Sequence, residues 1–196
     1  MRVLVACEYS GTVRDAFRAR GHYAMSCDLL PTERAGPHHM GDVFDIIADD
    51  WDLMVAHPPC TYLCSSGLHW NKKRPERAAQ TAGALDFVRR LLAAPIARIA
   101  LENPIGCIST QIRKPDQTLQ PWMFGHDASK STCLWLKGLA PLKPTDIVMP
   151  RIVAGKRRWA NQTDTGQNRL PPSVDRWKIR STTYKGIADA MATQWD

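Results

Sequence analysis

Met54–Gly67, MVAHPPCTYLCSSG, restricts the fold of this chain more than any other stretch. Asp52-Leu-Met-Val-Ala56 is an apolar run of strand length. His57-Pro58-Pro59-Cys60 must stop it. Proline has no backbone N–H to give a sheet, and it drives the residue before it into extended or turn conformations. A cysteine is therefore expected on a stiff loop just past a strand's carboxyl end. In an open α/β sheet that is where ligands bind. The chemistry of the chain can be read outward from what Cys60 attacks.

The 196 residues suit one domain, 1–196, with a core of useful size. No run approaches the ~18 apolar residues of a membrane span. MRVLVACEYSG carries one basic residue and an apolar run too short for a signal peptide. It reads as a first strand, and the expected location is cytoplasmic. The six cysteines (Cys7, Cys27, Cys60, Cys64, Cys107 and Cys133) then read as free thiols. Cys60-x-x-x-Cys64 has no second close pair after it, so no metal site is expected. The net charge of +7 is uneven. Lys137–Gly186 holds eleven Lys/Arg against Asp146, Asp164 and Asp175, and the remainder sums to −1. A basic segment on a near-neutral body points to a polyanion partner or to a solvated face.

Along the chain, Arg2–Glu8 reads as a strand and Tyr9-Ser10-Gly11 as a turn. Thr12 is a cap for a helix with Val13, Ala16 and Phe17 on its apolar face and Asp15 in its first turn. Gly21 ends that helix, and His22–Asp28 is a second strand closing on an acid. Such a strand–turn–helix–strand–acid unit suits a nucleotide-like cofactor, although a single glycine falls short of the dinucleotide fingerprint. Pro31–Met40 reads as a loop, and Gly41-Asp42 opens a short helix or turn. Ser65–Arg77 is polar and basic, a segment able to close over substrate. Pro75 to about Leu92 is a helix with Ala79, Ala82, Leu85, Val88 and Leu92 inward. Arg98–Leu101 is a strand ended by Glu102-Asn103-Pro104. Gln111–Asp127 is irregular, Lys130–Leu136 is a strand, residues 137–185 are a basic irregular insertion, and Gly186–Trp195 is a closing helix.

In this arrangement the chain resembles the S-adenosylmethionine-dependent DNA cytosine-5 methyltransferases, in a compact form of the kind phages carry. Pro58-Pro59-Cys60 resembles the family's nucleophile motif. Glu102-Asn103 resembles its Glu-Asn motif, about forty residues later and also at a strand end. Val5–Gly11 loosely resembles the first cofactor motif, Asp28 and Gly41-Asp42 fall where the second and third sit, and Gly186–Ala192 resembles the last. The resemblance implies a three-layer, Rossmann-like α/β fold with a mostly parallel sheet, and methyl transfer to carbon 5 of cytosine in DNA through a covalent Cys60 adduct. It implies Cys60, Glu102, Pro59 and Asn103 as catalytic. Cys7, Glu8, Tyr9, Ser10, Gly11, Asp28, Asp42 and Pro58 are implied for S-adenosyl-L-methionine.

The chemistry fits independently. A thiolate adding to carbon 6 makes carbon 5 nucleophilic. An ordinary cysteine is only about 3% thiolate at pH 7, so the site is expected to activate it. A carboxyl at Glu102 would contact ring nitrogen 3 and the exocyclic amine. The base must be flipped out or single-stranded.

Several positions depart from the family pattern. Cys7-Glu8-Tyr9-Ser10-Gly11 replaces Phe-x-Gly-x-Gly, Thr61 stands for Gln, Cys64 for Ser, and His57 for a small residue. No Gln-x-Arg-x-Arg motif is present, and Lys130 is the candidate substitute. A full target recognition domain is missing. Residues 137–185 are the candidate reduced element, with Gln167, Asn168 and Arg169 suited to base edges and Lys156, Arg157 and Arg158 to phosphates. Thr61, Lys72, Lys73 and Arg74 complete the expected nucleic-acid contacts. The alternatives are the same fold acting on a nucleotide or RNA, and an inactive nucleic-acid-binding homologue. An amino-methyltransferase would need Asp/Asn-Pro-Pro-aromatic where His57-Pro58-Pro59-Cys60 stands.

Overall fold

The computed structural model describes residues 1–196. Its sheet is built on alternation that the apolar strands hide. Strand β1 (Arg2–Ala6) turns Leu4 and Ala6 to one face and Val3 and Val5 to the other, and all four are fully buried. Strand β4 (Leu53–Ala56) divides Met54 and Ala56 from Leu53 and Val55 in the same way. A strand buried on both faces reads as a continuous apolar run, because helices cover both sides of a parallel sheet.

In chain order, helix α1 (Thr12–Ala19) and strands β2 (Tyr23–Asp28) and β3 (His38–Met40) follow β1. After β4 come the short helix α2 (Ser65–Leu68), a 3₁₀ turn at His69–Lys72, and helix α3 (Pro75–Leu92). Then follow β5 (Arg98–Pro104), α4 (Ile108–Gln111), β6 (Gln117–Leu119) and β7 (Thr132–Lys137). A hairpin of β8 (Arg151–Val153) and β9 (Lys156–Arg158), helix α5 (Arg176–Ser181) and helix α6 (Lys185–Gln194) complete the chain. The seven-stranded sheet runs β3-β2-β1-β4-β5-β7-β6, with only β7 antiparallel to its neighbours. Helix α3 and residues 43–51 cover one face, while α1 and α6 cover the other. The fold is thus α/β, in three layers, with a mostly parallel sheet. No helix is long and apolar enough to cross a membrane.

The order of strands reverses between β1 and β4. From β1 the chain goes outward to β2 and β3, then returns to β4 and grows the other way. Loops leaving the carboxyl ends of β1 and β4 therefore diverge and leave a crevice.

Several local expectations are corrected. Helix α1 is not capped by Thr12: its N-cap is Gly11 in the left-handed conformation, and no side chain at that position makes the bond. Glu8 caps it instead. One carboxylate oxygen accepts the Val13 N–H at 2.7 Å and the other the Arg14 N–H at 3.1 Å. Arg14, which the sequence reading leaves out, is fully buried. Its guanidinium binds Asp15, the Ser26 and Thr32 hydroxyls, and the carbonyls of Arg34 and Ala35, pinning the 32–36 loop. His38–Met40, read as loop, pairs with β2 because Ser26 and the Leu30 carbonyl hold both nitrogens of His38. The inward face of α3 is Thr81, Leu85, Val88 and Leu91, whereas Ala79 and Ala82 are exposed. The stretch read as irregular before Asp127 contains β6, held by β7.

Replacing Glu8 with Ala should destabilise the protein by about 1–2 kcal/mol, since two N–H groups at the start of α1 lose their acceptor. Urea denaturation at neutral pH measures this; an unchanged midpoint would mean that another group caps the helix.

Candidate active site

Both proline-locked corners lie at the carboxyl edge of the sheet, on adjacent strands. Ala56 of β4 is paired with Leu101 of β5, so His57 and Glu102 follow side by side. Asn103 fixes the alignment: its buried Nδ2 donates to the Pro58 carbonyl at 2.7 Å. The loops beyond are also tied. Cys107 N–H donates to the Leu63 carbonyl and Ser65 N–H to the Ile105 carbonyl, at 2.9 and 3.0 Å. Gly106 permits that approach, because a Cβ there would sit 1.9 Å from the Leu63 carbonyl oxygen.

Cys60 and Glu102 line one cavity of about 100 Å³. Its walls come from the β1 turn (Cys7–Ser10), the Pro-Pro-Cys loop, Asn103, Pro104 and Lys130, with Arg180–Thr183 on the remaining side. A second cavity of about 450 Å³ lies beside it, bounded by Asp28, Asp42 and apolar groups including Val43, Leu63 and Phe87. Cys7, Pro58 and Pro59 face both. A third, an open trough of about 590 Å³, holds Asn168, Arg169 and Asn161 and meets the first at Pro104, Lys130 and Arg180.

Glu102 is the electrostatic centre. Its Oε2 lies 3.3 Å from Nδ1 of His57, and both side chains are largely buried. Burial acts to raise the carboxyl, but His57, by hydrogen bond and charge, with Lys130 and the Thr132 hydroxyl, outweighs it. The net effect holds Glu102 below its ordinary value, so it is ionised at neutral pH. Cys60 goes the other way. Burial, with Cys64 and the Glu102 carboxylate, pushes its thiol up, and the loop N–H and Lys130 offset this only in part. The protein alone does not activate Cys60, contrary to the expectation from sequence, because burial of the sulfur, helped by Cys64 and Glu102, outweighs the loop N–H and Lys130.

The expected residues separate. Cys7, Asp28, Asp42 and Pro58 line the second cavity. Glu8, Tyr9 and Ser10 line the Cys60 hollow instead, since the turn folds over that side, and Gly11 lines neither, being turned toward Arg14 and Arg34. Helix α6 packs on α1 and lines neither cavity beyond its leading loop. Lys130, Asn168 and Arg169 meet in the trough, but Gln167 does not line it. Lys156, Arg157 and Arg158 stand away on β9, where Arg158 is spent on the Asp164 and Arg157 carbonyls. Thr61, Lys72, Lys73 and Arg74 border none of the three cavities. Lys73 and Arg74 instead stack on the Trp70 ring.

Two parts of the site were missed. In the sequence His57 stands out only as an unusual neighbour of the prolines. Helix α5, from a segment without periodicity, covers the hollow: the Lys130 ammonium donates to the Arg180 carbonyl at 2.6 Å, and the Tyr9 hydroxyl meets Ser181 at 3.0 Å. Comparison of the chain with protein-family models and with curated proteins found no match.

Two titrations follow. Glu102 has a folded-state pKa below its unfolded value, so its stabilisation is full above about pH 4.3 and is lost as pH falls through the folded value. The stability gap between wild type and Glu102→Gln, read by urea denaturation, should therefore shrink on acidification; a pH-independent gap would contradict the pairing. Iodoacetamide labelling of Cys60, mapped by peptide mass, should reach half its maximal rate above the ordinary thiol value of about 8.5. A plateau already at neutral pH would contradict the raised thiol.

Proposed function

We propose that the chain transfers a methyl group from S-adenosylmethionine to carbon 5 of cytosine in DNA. The observation that carries this reading is the pair of adjoining cavities. A small hollow with one sulfur and one carboxylate shares the walls Cys7, Pro58 and Pro59 with a larger, mostly apolar chamber edged by two acids.

The larger chamber suits a nucleoside-type cofactor. Asp28 and Asp42 each commit Oδ1 to a nearby backbone N–H, of Leu30 and Phe44 at 3.0 Å, and keep Oδ2 for a ligand. Asp28, at the end of β2, would take ribose hydroxyls. Asp42 would take an exocyclic amine, and Val43, Leu63 and Phe87 offer apolar surface to a purine. When bound, the cofactor supplies an electrophilic methyl group on a sulfonium.

In the smaller hollow the Cys60 sulfur would add to carbon 6 of cytosine, making carbon 5 electron-rich. Ionised Glu102 accepts a hydrogen bond from the exocyclic amine, which thymine lacks, so the same contact selects the base. Asn103 acts through the Pro58 carbonyl as a positioning residue. A base can enter such a hollow only out of the stack. The trough with Lys130, Arg169 and Arg180, continuous with the hollow, favours a polymer over a free nucleotide, because it extends cationic and amide groups beyond the base. The competing reading, a binding protein without chemistry, has in its favour the raised Cys60 thiol.

DNA containing 5-fluorocytosine, incubated with the protein and S-adenosylmethionine, should yield a covalent complex stable to denaturation, because elimination removes a proton from carbon 5 and fluorine there cannot be lost as a cation. Cys60→Ala should form none. If wild type forms none on single- or double-stranded DNA while binding the cofactor, the reading fails.

A further inference from the structure

The position before the two prolines carries a buried imidazole whose sole polar partner is the candidate catalytic acid. His57 follows β4 with its main chain fixed, its N–H donating to the Ala6 carbonyl at 2.9 Å. Its Nδ1 faces Oε2 of Glu102 at 3.3 Å, and its Nε2 is buried without a partner. The other groups around the carboxylate are Cys60, Lys130 and the Thr132 hydroxyl. Lys130 donates to the Arg180 carbonyl and the Thr132 hydroxyl to the Lys130 carbonyl, whereas His57 Nδ1 stands at hydrogen-bond distance from the carboxylate itself. His57 is thus the proton-bearing group aimed at Glu102 that holds no competing hydrogen bond.

We propose that His57 is a positioning residue and proton source for Glu102: it orients the carboxylate toward the base and replenishes the proton that Glu102 delivers to ring nitrogen 3. This rests on the cytosine reading above. Sulfur addition to carbon 6 would leave excess electron density on the ring, and an ionised Glu102 has no proton of its own to give. The step balances as follows in atoms and charge. The Cys60 thiol proton leaves to water as the sulfur–carbon 6 bond forms. The carbon 5–carbon 6 π pair becomes a carbon 4–carbon 5 π bond, and the carbon 4–nitrogen 3 π pair takes a proton at nitrogen 3. That proton passes from Nδ1 of His57 through Glu102, so the imidazolium becomes neutral imidazole. Nothing is oxidised or reduced. When sulfur is eliminated at the end, the nitrogen 3 proton returns to Glu102 and His57. A small residue at position 57 would leave Glu102 to draw its proton from solvent in a hollow that α5 covers.

Exchange of the carbon 5 hydrogen of cytosine with water, in an oligonucleotide and without methyl donor, tests this, because exchange requires sulfur addition and proton movement but no methyl transfer. His57→Gln keeps an N–H donor for Glu102 but cannot ionise. It should slow exchange by about 100-fold, within the usual range for general acid–base catalysis, while oligonucleotide affinity stays within about twofold. His57→Ala should lose exchange as well, and added imidazole should restore it, which a purely structural defect would not allow. Thermal melting of both variants checks that they fold. His57→Gln exchanging at the wild-type rate, or His57→Ala left unrescued while His57→Gln is normal, overturns the proton role. A wild-type protein that traps 5-fluorocytosine in either case leaves the cytosine reading standing; one that neither traps nor exchanges overturns both.

Discussion

The hydrogen bond from Asn103 to the Pro58 carbonyl is the constraint on which the site depends. Parallel pairing of β4 with β5 brings two strand ends together, but pairing stops at Ala56 and Leu101. Beyond that point prolines forbid further ladder bonds on the β4 side. Without a side-chain substitute, the cysteine loop would be free to pivot on its two prolines. Asn103 supplies that substitute from the interior, and the Gly106 contact with Leu63 repeats it farther out. The sulfur and the carboxylate are thereby held by three successive ties, one of sheet, one of side chain and one of loop backbone.

That geometry has an electrostatic cost. A carboxylate and a thiol in one small hollow oppose each other's ionisation, and here the carboxylate wins because His57 and Lys130 stand with it. The site therefore rests with a negative acid and a neutral sulfur. A ligand that enters the hollow can reverse such an arrangement. A ligand that draws on the carboxylate would relieve the sulfur of one of the charges that oppose its ionisation, beside burial and Cys64.

The outline of this fold was legible because central strands write themselves plainly. Runs such as Val3–Ala6 and Leu53–Ala56 have no other place in a small chain than a doubly covered sheet. The prolines after Ala56 also mark the first corner, but Glu102-Asn103-Pro104 does not end the second strand: β5 runs on through Pro104 because β7 pairs with it there. The failures share a cause: side chains whose role is set by distant partners. Glu8 looks like an ordinary strand-end acid until the chain doubles back and offers it two helix N–H groups. Nothing in the sequence singles out Arg14, which the 32–36 loop wraps with carbonyls. His38–Met40 and Gln117–Leu119 are too short to show a period and become strands through their neighbours. Helix α5 is six residues long and mostly polar, so nothing local announces that it lies over the hollow. Basic charge does not show which residues share a cavity, since Arg169 lines the trough whereas Lys156–Arg158 do not.

Cys7 shows what the departure from a glycine-rich first turn entails. Its backbone is left-handed, with φ at 58°, a conformation that costs a side-chain-bearing residue about 1–2 kcal/mol. In return the chain gains a short, rigid partition: with Pro58 and Pro59 it faces both chambers, so the barrier between them is one residue thick. An activated group handed across so thin a screen is exposed to hydrolysis over a very short distance. On the function proposed above, two guests seated together would pass a group directly, with no release and recapture of a reactive carrier.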